Sequence, residues 1–233
     1  GYSDMAVGLA RILGYDLTIN FRQPYFSTSL AEFWRRWHVT LSQWFRDYVY
    51  IPLGGNRVGN HRWCVNILVV FVLSGLWHGA AWHFVVWGAI HGVWLVLEHA
   101  ISTVLGLDRR ARRSRLLRLL RWAVTLAVVL VSWVFFVARD MRDAVYVLTH
   151  FWQLAAVRYD TVARLGLPNF HLLLLVLHLV VLVGVDWCLR FRPAAVMRVW
   201  QWWPLRAAAY VLLFYDIVLF GVFDQVDFIY FQF

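Results

Sequence analysis

The sequence predicts an all-α integral membrane protein, and three observations carry that prediction. Of the 233 residues, 62% are hydrophobic and only 15% are charged, which is more apolar than the composition of a water-soluble domain. Long uncharged runs alternate with clusters of arginine, the pattern of membrane spans and their flanks. Phe, Trp and Tyr together make up 18% of the chain. This composition excludes a disordered chain, a disulfide scaffold and most water-soluble enzymes.

The first predicted element is one amphipathic helix over residues 30–48, at the membrane interface or beside the bundle. Its apolar residues follow the 3, 4, 7 spacing of a single helical stripe, while Arg36 and other polar residues lie opposite. The stripe consists of Phe33, Trp34, Trp37, Leu41, Trp44, Phe45 and Tyr48. His38 falls at the edge of this stripe. Pro and Gly-Gly-Asn within residues 51–57 end the helix.

The next element covers residues 64–97, which contain no Asp, Glu, Lys or Arg. As one helix this run would be about 51 Å long, too long for a single perpendicular span. Ser74, Gly75 and Gly79 predict a break, which gives either two crossings or a bent, partly re-entrant segment. Both arrangements place His78 at the break, inside the membrane. The pairs Gly75/Gly79 and Gly88/Gly92 also predict close helix packing.

Three further spans are predicted at residues 122–138, 172–185 and 207–223. Arginine clusters at residues 109–121 and 190–206 fit one cytoplasmic face, which makes residues 139–171 an external loop and leaves the C-terminus outside. Asp216 lies within the last span, where we expect it to pair with an arginine of another helix. We interpret residues 1–233 as a single membrane domain.

Nine histidines are present, and His78 is the strongest candidate for chemistry among them. It follows Trp77 and lies at the predicted break within the longest uncharged stretch, where a buried polar ring needs a reason. An imidazole accepts a proton near neutral pH, and neighbouring Trp77, Trp82 and Trp87 would exclude water from an activated acyl group. For His78 and His38 alike, the alternative is a hydrogen-bonded structural histidine.

Other functional classes have weaker signals. His78 and His83 are five residues apart, about 140° around a helix, so they do not share a face as metal ligands would; we predict no metal site. All 22 basic residues are arginine and give a net charge of +9, but they flank apolar spans, so we predict membrane contacts and not nucleic-acid binding. A transporter without catalysis, or a haem or metal protein, remains an alternative.

Four sequence blocks resemble the membrane-bound O-acyltransferase family, in particular its bacterial alginate O-acetyltransferase subgroup. The longest is residues 32–57, which includes Glu-Phe-Trp-Arg-Arg-Trp-His and ends in Pro-Leu-Gly-Gly-Asn-Arg. The others are residues 1–8, the Ser-Gly-Leu-Trp-His-Gly string of residues 74–79, and residues 228–233. The chain resembles roughly the C-terminal half of a family member, so we expect further helices N-terminal to it.

The resemblance implies a multi-helix fold with a central tunnel through the bacterial inner membrane. It places His78 at the family's catalytic histidine and His38 at its second polar position. His83 departs from the pattern, because related sequences usually carry Asn there. The residues expected to line the donor channel are Trp34, Arg35, Arg36, Trp37, Trp44, Arg46 and Trp77.

The implied reaction is transfer of an acyl group, most simply acetyl, to hydroxyls of an exported polysaccharide such as alginate. The donor would be a cytoplasmic thioester such as acetyl-CoA, with no tightly bound cofactor. His78 would act as general base, and His38 would orient or polarise donor or acceptor. The expected partners are membrane lipids, the acyl donor, the polysaccharide acceptor and periplasmic O-acetylation proteins, with a periplasmic C-terminus.

Overall fold

The structure, a computed structural model, describes residues 2–107, 114–156 and 169–221. Within those ranges the regular structure is helical and contains no strand, which confirms the all-α class. The helices form two compact units, residues 1–157 and residues 158–233. The interpretation of the whole chain as one membrane domain stays a prediction.

The first unit begins with short helices. Helix α1 covers Tyr2–Ile12, and a 3₁₀ turn covers Pro24–Phe26. Helix α2, Leu30–Trp34, and helix α3, Val39–Phe45, follow, and α3 continues into a π-helical turn at Arg46–Tyr50. Single π-helical turns are frequent at functional sites, because they redirect side chains within a helix.

The prediction of one continuous helix over residues 30–48 is wrong, because the chain bends at His38. That residue has a left-handed backbone with φ of +43°. The amide of Val39 donates to the Asn20 carbonyl oxygen at 3.1 Å, and the amide of Thr40 donates to Asn20 Oδ1 at 2.9 Å. Asn20 therefore satisfies the backbone groups that a continuous helix would have paired internally, and His38 lies at a corner.

Helices α4, Asn60–His78, and α5, Trp82–Leu105, form an antiparallel hairpin. The predicted break is confirmed at Gly79, whereas Gly75 lies within α4 and serves packing. A Cβ added to Gly75 would collide with the Phe84 carbonyl oxygen, and one added to Gly88 with the Phe71 carbonyl oxygen. The glycines thus let the two backbones approach closely, as predicted.

Helix α6, Arg115–Val137, and helix α7, Met141–His150, complete the packing of the first unit, followed by a 3₁₀ turn at Phe151–Ala156. Ser114 caps α6 and Asp140 caps α7 through their side chains. The buried core joins α2, α5, α6 and α7. Its buried apolar members are Leu30, Phe33, Trp87, Val129, Phe135 and Ala144.

The second unit contains helix α8, Asn169–Phe191, helix α9, Pro193–Trp200, and helix α10, Trp203–Phe220. Asp216 of α10 pairs with His178 of α8, with 2.8 Å between Oδ1 and Nε2. The expected arginine partner is therefore wrong. The His178 ring lies between two oxygen atoms, since Nδ1 is 2.6 Å from the Leu174 carbonyl oxygen while Nε2 faces the Asp216 carboxyl group.

Four of the described helices are long and apolar enough to cross a membrane, namely α5, α6, α8 and α10. They confirm a multi-pass membrane protein and match the predicted spans, although α10 ends at Phe220 and not at 223. Helix α4 is not among them, because polar residues such as Arg62 and Asn66 interrupt its apolar surface. The predicted arginines at 109–113 and the C-terminal block 228–233 lie outside the described residues.

Candidate functional site

Helix α2 is held at its N-terminus by two carboxylates. The Ser29 hydroxyl accepts from the Glu32 amide at 3.0 Å, and Glu32 accepts from the Thr28 amide at 3.0 Å. Glu98 of α5 accepts from the Leu30 amide at 2.8 Å. Although burial opposes ionisation of Glu32, the hydrogen bonds from Thr28 and the ion pair with Arg36 hold its pKa below the ordinary value. The N-terminal end of α2 is thereby fixed against α5.

We expect Glu98→Ala to lower the free energy of unfolding by about 1 to 3 kcal/mol, because it leaves a helix N–H without its charged acceptor. Glu98→Gln is the matched control, since its amide oxygen can still accept from Leu30 and should retain most of the stability. Chemical unfolding of the purified protein in detergent measures both. Equal stability of Glu98→Ala and wild type would contradict the anchoring role.

His38 lies at the corner between α2 and α3. Its ring is half-buried and lies 6.0 Å from the Phe21 ring, measured between centroids. The Nδ1 atom is buried and has no hydrogen-bond partner among the described residues. Burial lowers the pKa of His38, because desolvation disfavours the charged ring. His38 is therefore a neutral imidazole at neutral pH with one nitrogen unused.

His78 is the last residue of α4, and three aromatic rings enclose it. Its centroid lies 4.9 Å from Trp77, 5.1 Å from Trp87 and 5.0 Å from Phe136, each in an edge-to-face arrangement. The sequence suggested Trp82 as one of the rings around His78, but Trp82 is 75% exposed. Phe136 of α6 is the third ring instead. The imidazole thus lies in an aromatic cage at the end of a rigid hairpin.

The two predicted histidines both lie in the first unit. A continuous row of aromatic contacts connects their neighbourhoods. Trp37, next to His38, lies 4.9 Å from Trp133, which lies 5.3 Å from Phe136 of the cage around His78.

A cavity of about 150 Å³ lies between α3, the π-helical turn and α4. Ser42, one helical turn after His38, and Ser74, one turn before His78, both line it. Arg46 supplies the one cationic group among its described lining residues. The remaining lining is Trp34, Leu41, Phe45, Tyr50, Ile67, Val70 and Phe71. The cavity is therefore small and mostly apolar, and neither His38 nor His78 is among its described lining residues.

The seven predicted channel residues fall into different environments. Trp34 and Arg46 line the cavity, Trp77 contacts His78, and Trp37 stacks on Phe33 at 5.6 Å. Arg36 is ion-paired with Glu32 at 3.0 Å, so its guanidinium has a structural partner. The other two, Arg35 and Trp44, are exposed. Their roles toward a donor stay predictions.

Sequence reasoning missed two polar residues at the centre of the unit. His91 is 1% exposed and lies 2.9 Å from the Ser132 hydroxyl, between Nε2 and Oγ. The signal that marks both is a polar side chain within a predicted span. His83 is also buried, with Nδ1 at 3.0 Å from the Phe135 carbonyl oxygen. Within the described ranges, no three His, Cys, Asp or Glu side chains are grouped as metal ligands.

The described helices thus form a multi-pass, all-α membrane protein, with His78 at a helix break. Residues 1–139 match the model of MBOAT, the membrane-bound O-acyltransferase family. The chain belongs to that family.

Several curated relatives are similar to this chain. A probable alginate O-acetylase AlgI of Pseudomonas putida is 48% identical over 144 residues, covering 62% of this chain and 28% of the relative. One from Pseudomonas syringae pv. tomato is 40% identical over 192 residues, covering 73% and 36%. A peptidoglycan O-acetyltransferase of Helicobacter pylori is 40% identical over 148 residues, covering 64% and 27%. The chain thus spans about a third or less of the length of these relatives.

Proposed function

We propose that the intact protein transfers an acyl group, most simply acetyl, from a thioester donor such as acetyl-CoA to hydroxyls of an exported polysaccharide such as alginate. The observation that carries the proposal is His78 in its aromatic cage, which a row of aromatic contacts connects to Trp37 beside His38. The names of the relatives, which are O-acetylases and O-acetyltransferases, support the acyl chemistry. The donor would enter from the cytoplasm and the acceptor from the periplasm.

His78 would act as general base in this reaction. Its imidazole takes the proton of the acceptor hydroxyl as the oxygen attacks the thioester carbonyl carbon. The carbon–sulfur bond then breaks, and the protonated His78 returns the proton to the departing thiolate, so that the products are an ester and a free thiol. The rings of Trp77, Trp87 and Phe136 would exclude water, which otherwise competes for the acyl group.

His38 would orient one of the two substrates. A buried polar atom without a partner is costly, and such atoms in native proteins call for an explanation. The unpaired Nδ1 of His38 would be satisfied by a hydrogen bond with a group of the donor or with a second hydroxyl of the acceptor. A neutral ring suits this role, because it repels a proton on His78 less than a charged one would.

The 150 Å³ cavity would receive the acyl end of the donor. Its apolar lining suits a short acyl chain. The exposed guanidinium of Arg46 is paired through Nε with Asp47 at 2.7 Å, and its other nitrogens would meet anionic parts of the donor. Arg35, Arg36, Trp37, Trp44 and Trp77 remain proposed channel residues. Membrane lipids of the bacterial inner membrane and periplasmic O-acetylation proteins complete the proposed setting, with a periplasmic C-terminus.

The proposal is tested with the intact protein that carries this chain, reconstituted in vesicles with acetyl-CoA labelled in the acetyl group. We expect release of free thiol together with label on the polysaccharide when the periplasmic O-acetylation proteins are supplied. Thiol release is measured by a chromogenic thiol reagent, and empty vesicles are the control. Label that crosses the membrane without thiol release would instead identify a transporter. Visible absorbance or bound metal in the pure protein would favour a haem or metal protein.

A further inference from the structure

His91 of α5 is the most completely buried histidine of the first unit, and both of its ring nitrogens have partners. The indole Nε1 of Trp34 donates to His91 Nδ1 at 3.4 Å. The Ser132 hydroxyl lies 2.9 Å from His91 Nε2 and donates to the Val129 carbonyl oxygen at 2.7 Å. The contacts link α2, α5 and α6 through one imidazole.

The donors and acceptors allow only one proton arrangement. An indole N–H can only donate, so Nδ1 of His91 accepts and carries no proton. The Ser132 proton is used toward Val129, so the hydroxyl oxygen accepts from the N–H at Nε2 of His91. His91 is therefore a neutral ring with both nitrogens satisfied, which excludes it as the base and leaves it a fixed bridge.

Two indoles beside His91 touch the proposed site. Trp34 lines the 150 Å³ cavity. Trp87, which contacts His78 at 5.1 Å, lies 5.0 Å from His91 and 5.9 Å from Trp34. His91 itself does not line the cavity. It acts on the site only through the position of the two indoles.

We infer that His91 is a positioning residue that holds Trp34 as a fixed wall of the cavity and so limits the length of the acyl chain that enters. This inference rests on the proposed acyl transfer. Without the hydrogen bond, the Trp34 ring gains rotamer freedom and the cavity can widen. A widened apolar pocket favours longer chains, because each added methylene changes discrimination by about 10- to 200-fold.

The test compares acetyl-CoA with butyryl-CoA in the vesicle assay for the intact protein. We expect His91→Leu, which breaks both hydrogen bonds, to raise the butyryl-to-acetyl ratio of kcat/KM by about tenfold. His91→Asn should restore a ratio near wild type, because the amide oxygen takes the place of Nδ1 and accepts from Trp34. His83→Leu is the matched control, since it removes another buried histidine of α5 that bonds only the Phe135 carbonyl oxygen.

Trp34→Phe supplies an independent variant that keeps an aromatic ring and lacks the N–H. It should raise the same ratio, and His91→Leu in that background should add nothing further. A merely structural role would lower transfer of both donors equally and would overturn the inference. An unchanged butyryl-to-acetyl ratio in folded His91→Leu would also overturn the inference. If His91→Leu fails to fold, an unchanged ratio in folded Trp34→Phe would do the same.

The two proposals fail in different ways. A wild-type protein that releases no thiol from either donor overturns the proposed function and this inference with it. A wild-type protein that transfers acetyl, with ratios for the His91 and Trp34 variants equal to its own, overturns this inference alone.

Discussion

Replacing His78 with alanine is expected to lower acyl transfer by about 10² to 10⁴-fold, the range that a positioned general base contributes. The imidazole occupies the end of α4 within the cage of Trp77, Trp87 and Phe136. Its contacts among the described residues are ring contacts, so truncation removes no hydrogen bond that the structure records there. The loss should therefore fall on turnover more than on folding.

The measurement is thiol release from acetyl-CoA per mole of folded protein in the vesicle assay. His78→Gln distinguishes loss of the proton-accepting group from loss of side-chain volume, since glutamine keeps much of the volume but does not accept a proton near neutral pH. Trp82→Ala is the matched control, because that residue follows the same break and is 75% exposed. Undiminished acyl transfer by folded His78→Ala would contradict the general-base role.

Replacing His38 is expected to change the kinetic constants differently from replacing His78. A residue that orients the donor raises KM while leaving kcat nearly unchanged, whereas a second proton-transfer group lowers kcat. A rise in KM would assign a positioning role to His38, and a fall in kcat would assign it a role in proton transfer.

Replacing Gly88 with alanine is expected to destabilise the first unit by about 3 kcal/mol, at the upper end of overpacking effects. The added Cβ would collide with the Phe71 carbonyl oxygen, which belongs to the α4 backbone and cannot rotate away as a side chain does. The hairpin would have to open, and His78 at its end would move with it. Unfolding of the purified protein by denaturant in detergent measures the change.

Gly184→Ala is the matched control for this substitution. Gly184 also lies within a helix, α8, but a Cβ built there meets no heavy atom of the described residues within 4 Å. It should be neutral or stabilise slightly, because alanine costs less backbone entropy in a helix. If Gly88→Ala were as stable as Gly184→Ala, close contact of the α4 and α5 backbones would not limit the fold.

The sequence was sufficient for features that depend on length and local chemistry. A charge-free run too long for one crossing, with Gly79 near its middle, predicts two helices with His78 at the break, and the structure confirms both. The helical stripe of residues 30–48 predicted one continuous helix wrongly, because the spacing of apolar residues carries no information about backbone hydrogen bonds. The corner at His38 is set by backbone bonds to Asn20, a residue outside the helical window.

Residues joined over long separations could not be predicted in the same way. His91 looks like one more histidine in an apolar run until Trp34 and Ser132 are seen on either side of it. Asp216 required a partner in the membrane, but only the packing of α8 against α10 selects His178 over an arginine.

The α4–α5 hairpin also has a consequence for the order of folding. Its two helices are joined by three residues, so their contacts close a short loop at little entropic cost. The contacts that fix α2, from Leu30 to Glu98 and from Trp34 to His91, span 68 and 57 residues. Short-range contacts form earlier than long-range ones. The hairpin should therefore assemble first, with His78 at its turn, and the contacts of Leu30 and Trp34 with α5 should form only when α2 docks onto it.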